Sequence, residues 1–210
     1  MKKLILTNIN YGIFLKNVIV DKKFMQEFLL INKEYITILH VLSVVIGMGG
    51  AIITDFLFVY FALNKKLSFT EIKIIKLLSK VVLYALVAII ITGIFIFLSN
   101  PEKYLVSAKF LTKMTIVSTL TINGILLHVL VFKHLKDDGY LTKFKNRNLR
   151  RLAFGFGAIS FTSWLCAMSL GVLDKIPISY TSAISIYFVI IILAIITSQL
   201  IYKAYENRKF

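Results

Sequence analysis

The sequence contains little of what stabilises small soluble domains. Its 210 residues include one cysteine and two prolines, and 17% are charged, against about a quarter in soluble domains. The single cysteine, Cys166, excludes a disulfide or a multi-cysteine metal site within one chain. Acidic residues are scarce, with 10 Asp and Glu against 25 Lys and Arg. These absences exclude a disulfide-stapled scaffold and disfavour a water-soluble globular domain.

The sequence contains several long runs of apolar residues with few charged residues in them. Apolar residues make up 58% of the chain, and its mean hydropathy is +0.83. A helix needs about 20 apolar residues to cross about 30 Å of hydrocarbon. Because the runs do not alternate in polarity as barrel strands do, the sequence predicts an all-α, integral membrane five-helix bundle. The predicted spans are residues 36–63, 81–98, 110–132, 152–173 and 178–202.

The predicted membrane domain covers residues 35–203, with one segment on either side of it. Residues 1–34 are interpreted as an amphipathic segment on the membrane surface, because Asn8 and Asn10 interrupt their apolar run and no signal-peptide cleavage site follows. A short re-entrant element is the alternative. Residues 204–210 are the predicted cytoplasmic tail.

Two helix starts have a capping signature. Ser68 and Glu71 fit a capping box, so the second helix should begin near Phe69 and continue through its span. Asn100 followed by Pro101 predicts another start, since proline suits the first helical position. This helix is expected to be short and to lead into the third span.

Basic residues predict the orientation. Short loops rich in Lys and Arg stay in the cytoplasm. Residues 63–80, 133–151 and the C-terminal end hold fifteen of the basic residues, whereas the opposite side holds nine. The prediction is a multi-pass protein of a bacterial inner (cytoplasmic) membrane, with the N-terminus out and the C-terminus in. Anionic lipid headgroups on the cytoplasmic side, not nucleic acid, are the expected counter-charge.

Four ionisable residues fall within the predicted spans. They are His40 and Asp55 in the first span and Lys113 and His128 in the third. Such residues are functional candidates because charge is costly in a membrane. Each pair is separated by about 22 Å of helix axis. Because the two spans run in the same direction, we expect His40 beside Lys113 near the outer surface and Asp55 beside His128 near the inner one, along one polar seam.

Each of these residues has a structural alternative. His40 is either a haem or metal ligand or a hydrogen-bonded core histidine. Lys113 either pairs with an anionic group or extends to the outer headgroups. Asp55 would be protonated at neutral pH unless a partner such as His128 or Lys80 reaches it. Since the two histidines should lie near opposite surfaces, a bis-histidine haem is disfavoured and a single-histidine haem stays open.

Small and amide residues complete the seam. Gly47, Gly49 and Gly50 predict either a groove for helix packing or room for a flat ligand. Asn123 is expected to form a hydrogen bond between helices. We assign no catalytic residue, because the sequence has no His-Glu-x-x-His motif, no phosphate-binding glycine loop and no paired acids at metal-binding spacing.

Two segments resemble known membrane proteins. The segment Leu39–Gly50 reads LHVLSVVIGMGG and resembles the first helix of small bacterial membrane proteins of uncharacterised function. More remotely, it resembles copper-resistance D proteins and HemJ-type protoporphyrinogen oxidases. The segment Lys109–Val117, followed by Asn123 and Gly124, is similar to a later helix of these proteins. The likeness covers residues 36–132.

The resemblance to HemJ-type proteins implies haem-linked tetrapyrrole chemistry at a first-helix histidine and a later-helix lysine, which correspond to His40 and Lys113. The resemblance to copper-resistance D proteins implies copper handling, although the sequence has no methionine-rich or multi-histidine site.

Three functional hypotheses remain open, and whether the protein is an enzyme is open with them. The first is a haem- or tetrapyrrole-binding or redox-accessory protein that holds haem b through His40, with Lys113 pairing an anionic group. The alternative is a small ion- or proton-coupled transporter or channel subunit, in which Asp55 and His128 relay protons. The third is a structural partner in a homo- or hetero-oligomeric membrane complex.

Overall fold

The structure is a computed structural model that describes residues 21, 23–63, 66–131, 142–143 and 147–207. Most of the predicted surface segment 1–34 lies outside the described residues, as does the predicted turn at residues 137–139. The helices are α1 (Lys33–Leu63), α2 (Phe69–Ser99), α3 (Pro101–Leu105), α4 (Ala108–Leu130), α5 (Arg147–Val172) and α6 (Tyr180–Asn207). Strands β1 (Lys66–Leu67) and β2 (Thr142–Lys143) form an antiparallel pair.

Five helices in the described part of the chain, all except α3, are long and apolar enough to cross a membrane. Many of their large apolar side chains face outward, including Ile38 at 56% exposure, Phe56 at 68% and Leu193 at 58%. In water such a surface would be an interaction or aggregation site, whereas in lipid it is the expected outer face. The predicted all-α, five-helix membrane bundle is therefore confirmed, and the architecture is that of a multi-pass membrane protein.

The starts of the helices follow the predicted caps. The Glu71 amide donates to Ser68 Oγ at 3.2 Å, and the Ser68 amide donates to Glu71 Oε2 at 2.7 Å, which completes the capping box of α2. Asn100 caps α3 by accepting from the Lys103 amide at 3.2 Å. However, α3 does not run into the third span, because Ser107 caps α4 as a separate helix.

The ends of α5 and α6 extend beyond the predicted spans. Helix α5 begins at Arg147 instead of residue 152, and α6 continues to Asn207, so the predicted tail begins inside a helix. The reason is that these polar turns pair with each other. Glu206 Oε2 forms an ion pair with Arg147 Nε at 3.0 Å, and Oε1 accepts from Arg150 Nη2 at 3.3 Å, joining the start of α5 to the end of α6.

Helix α5 is central in the bundle. It packs against α1, α4 and α6, while α1 pairs along its length with α2. Helices α1 and α4, which hold the four ionisable residues, make few direct contacts with each other. We call the end with β1 and β2 the strand end and the opposite end, with α3, the α3 end. Helices α1 and α4 both run from the α3 end to the strand end.

Two buried clusters fill the bundle. The cluster toward the strand end contains Phe58, Ile72, Ile75, Phe154 and Tyr202. The cluster toward the α3 end contains Ile89, Ile116, Leu120, Trp164 and Tyr187. Each cluster draws on α1 or α2 together with α5 and α6, so both halves of the bundle are held by contacts that involve α5. The polar residues of the spans lie around these two clusters.

Candidate functional site

His40 is held by α2. Its Nδ1 lies 2.8 Å from Thr92 Oγ1, and the Thr92 hydroxyl lies 2.6 Å from the Ala88 carbonyl oxygen. Because the hydroxyl hydrogen is directed to Ala88, Thr92 Oγ1 accepts from Nδ1–H of the imidazole. Gly93 packs beside the ring, where a Cβ would lie in ordinary contact with His40 Cε1, at 3.6 Å. The arrangement leaves the Nε2 lone pair of His40 as the ligand or acceptor atom.

Lys113 lies on α4, half-buried, near the α3 end of that helix. The neighbouring Lys109 turns toward the end of α5, where its ammonium donates to the backbone carbonyls of Leu173 and Asp174. The positive charge of the Lys113 ammonium makes this part of the protein complementary to an anionic group. The structure thus brings the predicted pair His40 and Lys113 to the same end of the bundle.

Asp55 faces α5. Asp55 packs against Gly157, which has no side chain. A Cβ at residue 157 would lie 3.7 Å from Asp55 Oδ1. Asp55 Oδ2 is buried and has no hydrogen-bond partner among the described residues. His128 and Lys80 are both exposed, and neither is bonded to that oxygen. The pairing of Asp55 with His128 or Lys80 expected from the sequence is thus absent at Oδ2, and the carboxylate lies against Gly157 of α5.

Asn123 approaches the same turn of α5 from α4. Only 5% of this residue is exposed, and its Nδ2 donates to the Phe156 carbonyl at 3.1 Å. This bond confirms the predicted interhelical role of Asn123. Its Oδ1 is buried without a hydrogen-bond partner among the described residues. Asp55 and Asn123 therefore contact adjacent residues of α5, Gly157 and Phe156, and each keeps one buried oxygen without a hydrogen-bond partner among the described residues.

The depths of these groups agree. Asp55, Asn123 and Gly157 lie about 10–15 Å from the strand-end termini of α1, α4 and α5, at 1.5 Å per residue. The sequence analysis missed Gly157. A signal was present in Gly155-Phe156-Gly157-Ala158, where small residues alternate with one large residue on a membrane helix and favour close approach.

Trp164 separates the two polar regions. It is 3% exposed, and a Cβ at residue 47 would lie 2.6 Å from its Cη2 atom. Gly47 is thus where the Trp164 indole packs against α1. At this glycine the groove serves helix packing, the first of the two alternatives predicted from the sequence. A Cβ at Gly49 would instead meet no packed atom of the described residues within 4 Å, so Gly49 lies beside open space. Next to Trp164 in α5, Ser163 forms a hydrogen bond with Tyr187 of α6, with their hydroxyl oxygens 2.8 Å apart.

Metal-binding groups are sparse in the part of the chain that the structure describes. Within it, no group of three or more His, Cys, Asp and Glu side chains is positioned to hold a metal ion. A metal site among the described residues would therefore have at most two such protein ligands. This fits a single-histidine haem, in which the porphyrin supplies the remaining nitrogen ligands.

The chain matches no protein-family model, no curated protein and no solved structure. The class of protein is thus defined by its fold and its polar residues. It is a five-helix membrane protein with one polar layer at His40 and Lys113 and a second at Asp55 and Asn123. The resemblance to copper-resistance D and HemJ-type proteins stays a prediction.

Proposed function

We propose that this protein is a small ion- or proton-coupled transporter or channel subunit of a bacterial inner membrane, with Asp55 as the coupling group. The observation that carries the proposal is the buried Asp55 Oδ2, which has no hydrogen-bond partner among the described residues. An acidic side chain in a membrane span is costly and marks an ion or proton path by default. A partnered carboxylate would instead suit a structural clamp.

The surroundings of Asp55 support exchange of a proton or cation. A carboxylate with no donor nearby is stabilised in an apolar environment by a bound proton or cation. His128 is exposed on α4, about 7.5 Å of helix axis closer to the strand end than Asn123. At that position it can exchange protons with water at the membrane surface. Asp55 is then the buried group of the path, and His128 is the group at the surface of the strand end.

Proton flux in liposomes tests this proposal. Purified protein is reconstituted with a trapped pH-sensitive dye, and an imposed gradient drives the flux. Asp55→Asn should reduce the flux at least tenfold, because the amide cannot bind and release a proton. Glu102→Gln, which removes an exposed acid on α3, should leave it unchanged. Wild-type flux in Asp55→Asn, or no flux in the wild type, would contradict the proposal.

A second candidate function is binding of haem or a related tetrapyrrole near the α3 end. It is favoured by the hydrogen bond of His40 Nδ1 to Thr92, since histidine ligands of metals usually donate their other ring nitrogen in this way. His40 Nε2 would hold the iron and Lys113 would pair with a propionate carboxylate. The haem would supply one-electron redox chemistry.

The visible spectrum tests the second candidate. Protein purified from membranes, with or without added haem, should give a Soret band that His40→Ala abolishes. His128→Ala is the matched control and should keep the band. Absence of the band in the wild type, or its persistence in His40→Ala, counts against tetrapyrrole binding at this site.

A further inference from the structure

Asp55 and Asn123 each carry one buried, unpartnered acceptor oxygen, and the two oxygens have a common ligand chemistry. We infer that Asp55 Oδ2 and Asn123 Oδ1 hold one monovalent metal cation between α1, α4 and α5. The inference rests on the proposed function and names its ligand. It also adds Asn123 and Gly157 to the site, beside the coupling carboxylate.

The orientation of the Asn123 amide is fixed by its neighbour. Its Nδ2 donates to the Phe156 carbonyl at 3.1 Å. A flipped amide would direct its oxygen at that carbonyl oxygen, and neither atom has a hydrogen to donate. Oδ1 is therefore held away from Phe156 as a buried acceptor. Buried acceptors are rarely left without a donor or a cation, so this atom requires a ligand that the described residues do not supply.

Asp55 supplies the second oxygen and the charge. It meets Gly157, the residue directly after Phe156, so the carboxylate and the amide reach the same turn of α5 from two different helices. Gly157 borders the carboxylate, and a methyl group there would lie in ordinary contact with Oδ1, at 3.7 Å. Side chains from α1 and α4 thus reach adjacent residues of α5, and each has one buried acceptor oxygen with no hydrogen-bond donor among the described residues.

The charge of the site selects a monovalent ion. Carboxylate and amide oxygens are the ligands of hard cations. One carboxylate neutralises a single positive charge, whereas a divalent ion would leave a net charge in apolar surroundings at a high desolvation cost. The described residues contain no cluster of three acidic or metal-binding side chains that would compensate a divalent ion. Sodium is the probe that these arguments indicate.

Sodium-dependent thermal stability of the detergent-solubilised protein tests the inference. The melting temperature is measured in sodium chloride and in choline chloride at equal ionic strength. The wild type should melt higher in sodium. Asp55→Asn and Asn123→Leu should each raise the half-saturating sodium concentration at least tenfold. Thr121→Val, which replaces another polar residue of α4, should keep the wild-type response.

A second variant covers the case in which those substitutions prevent folding. Gly157→Ala removes no oxygen and adds a methyl at ordinary contact distance, so it should fold. It should weaken the sodium response severalfold by filling the space beside Asp55. An equal sodium response in Gly157→Ala and the wild type, or none in the wild type, would overturn the cation site. If the wild type shows no sodium response but its proton flux depends on Asp55, the proposed function stands. The ligand of Asp55 is then a proton, or a water that bridges the two side chains, and not a metal cation. A sodium response without Asp55-dependent flux would instead contradict the proposed function and leave the cation site standing.

Discussion

Glycine positions on the first span differ in what surrounds them. At Gly47 the Trp164 indole occupies the space that a side chain would need, with Ala85 on the other side. Gly49 faces open space. The sequence presents these residues as one small stripe, and nothing in it reveals which glycine receives an indole from α5. That distinction arises only when three helices are packed together.

Replacement by alanine should affect stability differently at these two glycines. Gly47→Ala should lower the free energy of unfolding by about 1–3 kcal/mol, because its methyl would overlap Trp164 in a well-packed core. Gly49→Ala should leave stability unchanged or slightly higher, since alanine favours helix. Denaturant unfolding of the purified protein in detergent measures both, and equal effects at the two positions would argue against the packing of Trp164 on α1.

His40 depends on a single threonine for its orientation. Thr92→Val keeps the shape of the side chain but removes the oxygen that accepts from Nδ1, so we expect a loss of about 0.5–1.5 kcal/mol in unfolding free energy. Thr121→Val is the control, because the Thr121 hydroxyl donates within its own helix, to the Val117 carbonyl. If His40→Ala and Thr92→Val together cost the sum of the single changes, the bond contributes no coupling energy.

The sequence identifies which ionisable residues lie within the spans, but it does not identify the residues that they contact. The cost of charge in a membrane identifies His40, Asp55, Lys113 and His128 from the sequence. Helix periodicity also predicts which of them share a depth. It cannot predict that α5 reaches Asp55, since that depends on the packing order of helices distant in sequence. The hydrogen bond of Asn123 was predictable in kind, whereas its acceptor at Phe156 was not.

Helix boundaries reflect local and long-range contacts in different proportions. The start of α2 at Phe69 follows from a capping box contained within four residues, and the sequence predicts it correctly. The start of α5 at Arg147 depends on Glu206, which lies at the other end of the following helix. Hydropathy ends the predicted span at the first charged residue and therefore misses a helical turn that an ion pair stabilises.

The capping box gives a prediction for a whole helix. Ser68→Ala should destabilise the protein by about 0.5–2 kcal/mol, because the Glu71 amide at the start of α2 loses its acceptor. Thr70→Ala, an exposed change in the same turn, should have little effect. Unfolding in detergent measures the difference, and an equal cost for both variants would contradict the role of the cap.

The whole molecule has a defined arrangement of ends, while its orientation in the membrane stays a prediction. The α3 end and the strand end lie at opposite ends of the helices. The excess of basic residues at the strand end predicts that this end faces the cytoplasm. Composition and hydropathy are sufficient to predict five spans because each span must satisfy its own backbone hydrogen bonds in lipid. Which end faces the cytoplasm is decided when the protein is inserted into the membrane, and the packing of the helices does not fix it.

Cysteine labelling in intact cells measures the sidedness. With Cys166→Ala as the background, a cysteine replacing Glu102 at the α3 end should react with a membrane-impermeant maleimide. A cysteine replacing Lys203 near the strand end should react only after the cells are permeabilised. Both positions are exposed, so accessibility within the protein is matched. The reverse labelling pattern would show that the N-terminus is inside.

The central claim is that Asp55 exchanges a proton for a cation while buried against α5. Adding sodium to the purified protein in weakly buffered detergent should release protons, because a carboxylic acid that binds sodium becomes a carboxylate. A pH-sensitive dye measures that release. We predict release from the wild type and from Glu102→Gln, and none from Asp55→Asn. Equal release from Asp55→Asn, or no release from the wild type, would contradict the claim.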